Sequence, residues 1–473
     1  MIRFGTDGWR ALIARDFTFG NVTKIANAFS RFLLDFANPP KGIVVSFDTR
    51  FLSDQFAEHF AAVVAGYNIP VILSDRFTPT PVLSFAVKHL NLNAGVMITA
   101  SHNPYFYNGI KFKAEYGGPV LDDFTANVEK RIQETAVTNH EMPVPQQIQR
   151  MDLITPYSEH LKTLLRMEVL EKFSPSVAYD AMHGCGIGVL QYFFDLFDWP
   201  VSYLHHQENP LFNRRRPEPV ADNLPELRDL LLNGKQTLGM ATDGDADRCA
   251  VLDEKGRFVQ LHDLMPLLAQ YLIRERKLSG NFVRTTSMHH TIDLLAGEFR
   301  RQVTEVPVGF KNVTGQMLKN NVLLGGEESG GFGYGFHLPE RDGIFTLLLV
   351  LEMLGHYEVN ISQLVNGLRQ KYGDFFYLRK DLTHAQPQIL RQNLDSLRNN
   401  PPDRILDQQV VDFSLKDGLK LYLANGCWIL IRVSQTEPLA RIYVGGSNER
   451  AVKAILNWGI GIISKDTAKP SFK

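Results

Sequence analysis

KGIVVSFD at residues 41–48 is the stretch that predicts the fold, because it begins a regular alternation of apolar and amphipathic segments. The expected elements that follow are a helix over residues 53–67, a strand over 71–74, a helix over 81–89 and a strand over 94–98. Short apolar strands separated by amphipathic helices are typical of α/β proteins. The chain is therefore predicted to be an α/β protein.

A serine follows the last of these strands, in the sequence ITASHNP at residues 98–104. Asn103-Pro104 ends the turn, so we expect Ser101 to be fixed in space but exposed. Free serine is a poor nucleophile and needs a base, a metal or prior phosphorylation, and His102 and Lys111 are candidate partners. The alternative is an ordinary polar loop in which serine and asparagine satisfy turn hydrogen bonds.

A second polar motif, TDGDADR at residues 242–248, places Asp243, Asp245 and Asp247 at alternate positions. In an extended segment such residues face the same way, so three hard oxygen ligands would converge on a divalent cation. Magnesium is favoured over calcium, because three carboxylates leave room for a phosphate oxygen and water in an octahedral shell.

An EF-hand calcium loop is the competing interpretation, because Glu254 falls at its twelfth position. Two features argue against it. The sixth position is Arg248, where that loop needs glycine, and the flanking residues 237–241 and 249–252 are predicted to be strands rather than helices.

Two further loops carry groups suited to a phosphosugar. GGEESGG at residues 325–331 combines carboxylates and a hydroxyl on a backbone that glycine lets approach a ligand closely. RVSQTEP at residues 432–438, followed by Arg441, offers two guanidinium groups with hydroxyl and backbone donors between them, which is phosphate-binding chemistry. Each loop taken alone could be an ordinary surface turn.

These four motifs, in this order, resemble those of the α-D-phosphohexomutase family, the phosphoglucomutases and phosphomannomutases. FGTDGWR at residues 4–10 resembles the N-terminal signature of that family. Three intervening segments also fit: DAMHG at 180–184, PVGFK at 307–311 and HLPERDG at 337–343. Agreement in five ordered motifs is far more specific than agreement in one.

The resemblance implies a role for each matching residue. Ser101 would be the phosphoserine and would complete a Mg²⁺ site with Asp243, Asp245 and Asp247. His102 and Lys111 would have acid, base and charge-stabilising roles, and Arg10 and Arg248 would stabilise the transferring phosphoryl group. The residues implied in substrate binding are Lys311, Glu327, Ser329 and His337 for the sugar or its phosphate, and Arg432, Ser434, Thr436 and Arg441 for the non-reacting phosphate. Gln435 departs from the family pattern, which usually has glycine there.

The fold implied by the resemblance has three related α/β domains with mixed sheets and a smaller C-terminal α+β domain resembling the TATA-binding protein, all around one central cleft. We expect the domains to cover residues 1–145, 146–252, 253–370 and 371–473, with a linker near residues 142–147.

The implied reaction exchanges phosphate between C1 and C6 of a hexose through a phosphoserine enzyme, with glucose 1,6-bisphosphate as intermediate and activator. Glucose phosphate is the favoured substrate and mannose phosphate the second. The resemblance disfavours amino sugars, because the loop reads Glu-Glu-Ser-Gly-Gly, whereas family members that act on glucosamine phosphates tend to resemble Glu-Gln-Ser-Gly-His. Two alternatives remain. One is a magnesium-dependent sugar-phosphate phosphatase or bisphosphate-forming phosphotransferase, and the other is a non-catalytic sugar-phosphate sensor.

Composition excludes several other classes. The 473 residues carry a formal net charge of −1, so no global basic field attracts nucleic acid, and the basic run Arg214-Arg215-Arg216 is expected to be a solvated loop or a loop beside the phosphosugar cleft. Cys185, Cys249 and Cys427 are expected to be buried reduced thiols. The apolar run at residues 347–351 is predicted to be a core helix. We expect a cytoplasmic monomer or small homo-oligomer that binds a small sugar phosphate and neither nucleic acid nor membrane.

Overall fold

The computed structural model describes residues 2–37, 39–134, 148–384, 386–433 and 439–465. Within them the chain forms three α/β domains followed by a smaller domain built on an antiparallel sheet, which confirms the predicted fold class. The linker expected near residues 142–147 lies outside the described residues.

The first domain contains a mixed sheet in the strand order β1-β5-β4-β2-β3-β7, with β6 added to β5. β2, β3, β4 and β7 pair in parallel, whereas β1 and β5 are antiparallel to their neighbours. The elements are β1 (Trp9–Leu12), α1 (Phe19–Phe36), β2 (Ile43–Phe47), α2 (Ser53–Ala65), β3 (Val71–Ser74), α3 (Thr80–His89), β4 (Ala94–Ile98), β5 (Tyr107–Ala114), β6 (Gly118–Pro119), α4 (Asp122–Glu134) and β7 (Ile148–Met151). Because β7 pairs with β3, this sheet extends past the boundary expected at residue 145.

The second domain contains a sheet in the order β11-β10-β8-β9, in which β11 alone is antiparallel to its neighbour. Its elements are α5 (Ile154–Leu164), α6 (Met167–Leu170), β8 (Val177–Asp180), α7 (Val189–Leu196), β9 (Val201–Leu204), α8 (Pro225–Asn233), β10 (Leu238–Thr242) and β11 (Cys249–Leu252). The acidic motif lies on the connection between β10 and β11. Strands on both sides of it confirm that it is not an EF-hand.

The third domain contains a sheet in the order β13-β12-β14-β15. Its elements are α9 (Leu261–Arg274), β12 (Asn281–Thr285), α10 (Thr291–Glu298), β13 (Val303–Val306), α11 (Phe310–Met317), β14 (Val322–Gly326), β15 (Phe332–Tyr334), α12 (Gly343–Tyr357) and α13 (Ile361–Tyr372). Residues 347–351 lie fully buried in α12, as predicted. Apolar residues cover α12 all round, which is the pattern of a core helix.

The C-terminal domain is an antiparallel sheet in the order β16-β21-β20-β19-β18-β17, with two helices against it. Its elements are β16 (Phe376–Thr383), α14 (Pro387–Asn399), β17 (Arg404–Ile405), β18 (Gln408–Ser414), β19 (Leu419–Leu423), β20 (Trp428–Val433), β21 (Leu439–Gly446) and α15 (Glu449–Ile463). Its core is formed by apolar residues of β19, β20 and β21 together with those of α14 and α15.

By compactness the chain divides into two units, residues 1–283 with 309–365, and residues 284–308 with 366–473. All three cysteines are buried and none forms a disulfide, as predicted. Among the described residues, no single helix has both the length and the apolar character needed to cross a membrane, although α12 and α13 satisfy that test as a bent pair.

Candidate active site

The turn after β4 holds Ser101 in a left-handed conformation, with φ of 51°. Thr99 Oγ1 accepts a hydrogen bond from the Ser101 amide at 2.9 Å, and the Ser101 hydroxyl donates to Asp243 Oδ2 at 2.8 Å. The expectation that Ser101 is exposed is wrong, because the residue is fully buried. Its hydroxyl faces the acidic turn after β10, and Arg50 holds the serine turn through hydrogen bonds to its carbonyl groups.

The three aspartates lie on a tight turn rather than in an extended segment. β10 ends at Thr242, the amide of Ala246 donates to the Asp243 carbonyl at 3.1 Å, and Ala246 has φ of 54°. The three carboxylates therefore converge from a turn that contains a left-handed residue, and not by the side-chain alternation of a strand. Gly244 is required here, because a Cβ atom would lie 2.5 Å from the Ser101 carbonyl oxygen.

The acidic turn has the donor set of a hard-cation site. One carboxylate oxygen from each of Asp243, Asp245 and Asp247 lies within 4.8 Å of the others, and all three residues are buried. Among the described residues, Asp245 Oδ1 and Asp247 Oδ1 have no hydrogen-bond partner. Buried carboxylate oxygens are rarely left without a partner, so a divalent cation fits this site.

The charges around the turn act in opposite directions. Burial raises the pKa of Asp243 well above its ordinary value, and the neighbouring Asp245 and Asp247 raise it further. Burial would also raise the pKa of Asp245, but Lys111 overcomes that effect and holds it below its ordinary value. The turn therefore concentrates negative charge that a cation would neutralise.

Lys111 is a buried ammonium at the centre of three carboxylates. Its Nζ lies 2.7 Å from Asp245 Oδ2 and 2.9 Å from both Asp247 Oδ2 and Asp7 Oδ2. Burial alone would lower its pKa, but the three acids raise the pKa of Lys111 above its ordinary value. The side chain therefore keeps its positive charge.

Arg341 joins three loops of the site. Its Nη2 contacts Asp7 Oδ2 and lies 2.7 Å from Asp247 Oδ2, and its Nη1 lies 3.3 Å from Glu327 Oε2. The side chain is only 3% exposed. One guanidinium thus connects the N-terminal signature, the acidic turn and the GGEESGG loop.

Three further predicted residues contact the serine turn or the acidic turn. His102 Nδ1 lies 3.4 Å from Ser101 Oγ. Arg10 Nη1 donates to Asn103 Oδ1 at 2.7 Å. The Arg248 amide donates to Asp243 Oδ1 at 3.1 Å, and its buried Nε lies 3.8 Å from Asp247 Oδ1. The structure thus brings the predicted cations to the serine and the acidic turn.

The GGEESGG loop places one carboxylate deep and one hydroxyl nearer the surface. Glu327 is buried, and its Oε1 accepts from the Gly309 amide at 2.9 Å. Burial raises the pKa of Glu327, although Arg341 opposes the effect. Ser329 is half-buried, and Lys311 forms an ion pair with Asp122.

His337 lies in a buried polar network. Its Nε2 is 2.8 Å from Asp342 Oδ2, and its Nδ1 is 3.1 Å from His160 Nε2. Tyr157 also donates to Asp342, which caps the N-terminus of α12 through the Phe345 amide. Burial, and to a smaller extent the neighbouring His337, lowers the pKa of His160 to about 4. The imidazole of His337 is fully buried, so its contacts here are with protein groups.

In the C-terminal domain, Arg432 and Arg441 lie opposite each other on β20 and β21. Arg432 Nε lies 2.7 Å from Asp417 Oδ1, and Arg441 Nε lies 3.4 Å from Asp381 Oδ2. Ser434, Gln435 and Thr436 lie outside the described residues, so their assignment remains a prediction.

Sequence reasoning assigned no role to four residues that organise the site. Arg50 holds the serine turn, Asp7 pairs with both Lys111 and Arg341, and Thr80 donates to Asp245 Oδ2 at 2.5 Å. The position of Arg50 near the site could have been predicted from the sequence, because Asp48-Thr49-Arg50 directly follows the buried strand β2. β2 pairs in parallel with β4, so residues after both strands emerge at the same edge of the sheet.

Comparison with known families matches the three α/β domains in order. Models described as phosphoglucomutase/phosphomannomutase alpha/beta/alpha domains I, II and III match residues 1–138, 155–256 and 261–372, respectively.

Individual relatives align over almost the whole chain. A phosphoglucomutase/phosphomannomutase of Thermococcus kodakarensis is 28% identical, with 98% of each chain covered. A phosphoglucosamine mutase of Methanocaldococcus jannaschii is 30% identical, over 90% of this chain and 92% of the relative. A solved structure from Thermus thermophilus that carries the name phosphomannomutase is 34% identical, with a TM-score of 0.86, over 98% of this chain and 99% of that one. The names of these relatives refer to different sugars.

Proposed function

The protein belongs to the α-D-phosphohexomutase family, and from that premise we propose that it interconverts glucose 1-phosphate and glucose 6-phosphate through a phosphoserine at Ser101. Mannose phosphates are proposed as second substrates. The observation that carries the proposal is the hydrogen bond from the Ser101 hydroxyl to Asp243. Asp245 and Asp247, on the same turn as Asp243, each have one carboxylate oxygen without a hydrogen-bond partner among the described residues. A phosphate on that hydroxyl would sit against the proposed cation site.

Mg²⁺ is the proposed metal, held by Asp243, Asp245, Asp247 and the Ser101 side chain. When bound it supplies positive charge that offsets the charge of the phosphoryl group. Arg10 and Arg248 would add to that charge from the protein side. The donor set contains carboxylates and a hydroxyl and no sulfur or imidazole, which favours a hard cation over zinc or copper.

The proposed reaction has two half-reactions related by symmetry. In the first, the bond between phosphorus and Ser101 Oγ breaks and a bond forms from phosphorus to O6 of glucose 1-phosphate; O6 loses a proton and Oγ gains one. Glucose 1,6-bisphosphate then turns round. In the second, the C1 phosphoryl group returns to Ser101 Oγ, which loses its proton, and O1 gains one, so that glucose 6-phosphate leaves.

His102 and Lys111 are proposed to share the proton-transfer and charge-stabilising roles. Lys111 remains an ammonium among its three carboxylates, so it suits stabilisation of the charge on the transferring phosphoryl group. His102 lies beside Ser101 Oγ and is partly exposed, so it suits acceptance of a proton. Glu327 and Ser329 are proposed to bind sugar hydroxyls, and Lys311 is proposed to contact the sugar or its phosphate.

The non-reacting phosphate is proposed to bind Arg432, Ser434, Thr436 and Arg441. Arg432 supports this proposal, because Asp417 holds its Nε and thereby orients a planar guanidinium of the kind that binds phosphate with two parallel hydrogen bonds. We also propose that the protein works as a monomer or small homo-oligomer in the cytoplasm.

Glucosamine phosphate is a second candidate substrate, because relatives from Methanocaldococcus jannaschii and Sulfurisphaera tokodaii are named for amino-sugar phosphates. The Glu-Glu-Ser-Gly-Gly loop favours the neutral sugar. The test is to assay glucose, mannose and glucosamine 1-phosphates side by side with Mg²⁺ and a trace of the matching bisphosphate. A higher kcat/KM for glucosamine 1-phosphate would overturn the proposed preference. Release of inorganic phosphate as the main product would indicate a phosphatase.

A further inference from the structure

Arg50 lies fully buried beneath the serine turn and donates to its backbone at four places. Its Nη2 donates to the carbonyl oxygens of Ser101 at 2.5 Å and Asn103 at 2.7 Å. Its Nη1 donates to those of Pro104 at 2.9 Å and Tyr107 at 3.1 Å. One planar guanidinium therefore determines where four carbonyl groups of this loop point.

Arg50 Nε is also connected to Ser101, through the side chains of Asp48 and Thr99. Its Nε lies 3.1 Å from Asp48 Oδ2, which also accepts from Thr99 Oγ1 at 2.6 Å. Thr99 Oγ1 in turn accepts from the Ser101 amide. The carbonyl and the amide of Ser101 are thus both held by one buried network, and the left-handed backbone at Ser101 persists because its surroundings determine it.

Phe212 of the second domain covers Arg50. Its ring centroid lies 5.0 Å from Arg50 Cζ, and the residue is only 2% exposed. Phe212, Asn213 and Arg214 have φ of 47°, 51° and 60°, so three consecutive residues other than glycine adopt the left-handed region. Such backbone is uncommon and is found where other contacts enforce it.

The same loop also reaches the acidic turn. The Pro217 carbonyl accepts from the Gly244 amide at 3.2 Å. Residues 212–217, which contain the basic run Arg214-Arg215-Arg216, therefore touch the serine turn at one end, through Phe212 and Arg50, and the acidic turn at the other. Neither of these two contacts is made by an arginine of the run, and Arg215 pairs with Glu226.

We propose that Arg50 is a positioning residue that aims the Ser101 hydroxyl at the acidic turn, and that Phe212 acts through Arg50 by holding its guanidinium in place. The inference rests on the proposed role of Ser101 as the phosphoryl carrier. Phosphoryl transfer depends on placement of the reacting oxygen, and a displacement of about 1 Å can reduce the rate about 10²-fold. Substrate affinity should change little, because neither residue belongs to the proposed sugar or distal-phosphate contacts.

The test compares Arg50→Lys with wild type. Lysine keeps the charge but cannot donate to four carbonyls in one plane. We expect kcat to fall about 10²-fold with KM changed less than about threefold. We also expect the ratio of inorganic phosphate released to glucose 6-phosphate formed to rise, because hydrolysis of a misplaced phosphoserine competes better with phosphoryl transfer to the sugar. A merely stabilising residue would leave that ratio unchanged.

Arg276→Lys is the matched control. Arg276 Nη2 donates to the Leu164 carbonyl at 2.6 Å, its Nη1 lies 3.6 Å from Glu352, and its Cζ lies 5.5 Å from the Phe336 ring. It thus has a carbonyl, a carboxylate and an aromatic neighbour, as Arg50 does, away from the serine turn. Loss of stability without a change in the phosphate ratio is expected for this control.

Phe212→Leu keeps the test decisive if Arg50→Lys does not fold. Leucine fills the apolar space but offers no ring to the guanidinium. We expect the kcat of Phe212→Leu to fall about tenfold. Where the double variant folds, its kcat should equal that of Arg50→Lys alone, because Phe212 acts through Arg50. Wild-type kcat and phosphate ratio in Phe212→Leu, or strictly multiplicative effects in the double variant, would overturn the inference about Phe212. The same wild-type values in a folded Arg50→Lys would overturn the inference about Arg50. Full activity of Ser101→Ala would instead overturn the proposed function itself.

Discussion

The Ser101 hydroxyl donates a hydrogen bond to Asp243 Oδ2 at 2.8 Å, which joins the turn after β4 to the turn after β10. The two residues are 142 positions apart in the chain and belong to different domains. Ser101 and Asp243 are both fully buried, so each has lost the water that would otherwise solvate it. Their contact is the link between the proposed nucleophile and the proposed metal site.

Metal binding should release a proton. Burial and two like charges raise the pKa of Asp243 well above its ordinary value, so without a cation this carboxyl binds a proton at a pH where a free aspartate would not. A cation favours the charged form, so Mg²⁺ affinity should rise with pH through the raised pKa. Calorimetric titration of Mg²⁺ in two buffers of different ionisation enthalpy measures the protons released.

Asp245→Asn and Asp247→Asn should each weaken Mg²⁺ binding about tenfold or more, since each removes one charged ligand. Asp253→Asn is the control, because Asp253 is an acid directly after β11 that pairs with the exposed Arg257. Unchanged Mg²⁺ affinity in both triad variants would rule out the acidic turn as the metal site.

Arg341→Met should destabilise the protein by about 3–5 kcal/mol, because it leaves Asp7, Asp247 and Glu327 with less positive charge in a buried setting. Urea denaturation followed by circular dichroism measures the free energy of unfolding. Arg257→Met is the control: its side chain is 57% exposed, and its loss should cost less than about 1 kcal/mol. Equal effects of the two substitutions would contradict the role given to Arg341.

Lys420 should make stability depend on alkaline pH. Burial lowers the pKa of Lys420 to about 8, although Glu305 opposes the effect. Between pH 8 and the ordinary lysine value near 10.5, the unfolded chain binds this proton and the folded chain does not, so the free energy of unfolding rises with pH. The free energy of unfolding of wild type, relative to that of Lys420→Met, should therefore increase by about 3 kcal/mol across that pH range. Urea denaturation of both proteins at several alkaline pH values measures that difference, and one that stays constant with pH would contradict the lowered pKa.

Arg432→Ala should raise KM more than it lowers kcat, because a group that grips the non-reacting phosphate binds the ground state and the transition state alike. Loss of charge-assisted hydrogen bonds of about 1.5–3 kcal/mol corresponds to a roughly 10- to 150-fold rise in KM. Steady-state kinetics on glucose 1-phosphate measures both parameters. A fall in kcat at unchanged KM would instead place Arg432 in the chemical step.

Local patterns predicted the elements well but the site geometry less well. The bounds of β3, β4 and β11 agree with the predictions, because short apolar runs between turn residues identify buried strands. The burial of Ser101 could not be predicted, since it depends on Arg50 and Asp243, which are distant in sequence. The left-handed backbone at Ala246 is equally invisible, because alanine carries no signal for that conformation. Arg341 lay within a motif that resembled the family, but its three carboxylate partners come from three separate segments.

The most direct test of the phosphoserine mutase is to follow glucose 6-phosphate and inorganic phosphate together during incubation of glucose 1-phosphate with Mg²⁺ and a trace of glucose 1,6-bisphosphate. Wild type and Ser101→Ala are compared, and intact-protein mass spectrometry records whether a phosphate is attached. We expect rapid isomerisation with little inorganic phosphate in wild type, one phosphate attached to wild type, and neither isomerisation nor attached phosphate in Ser101→Ala. Undiminished isomerisation by Ser101→Ala would contradict the phosphoserine mechanism.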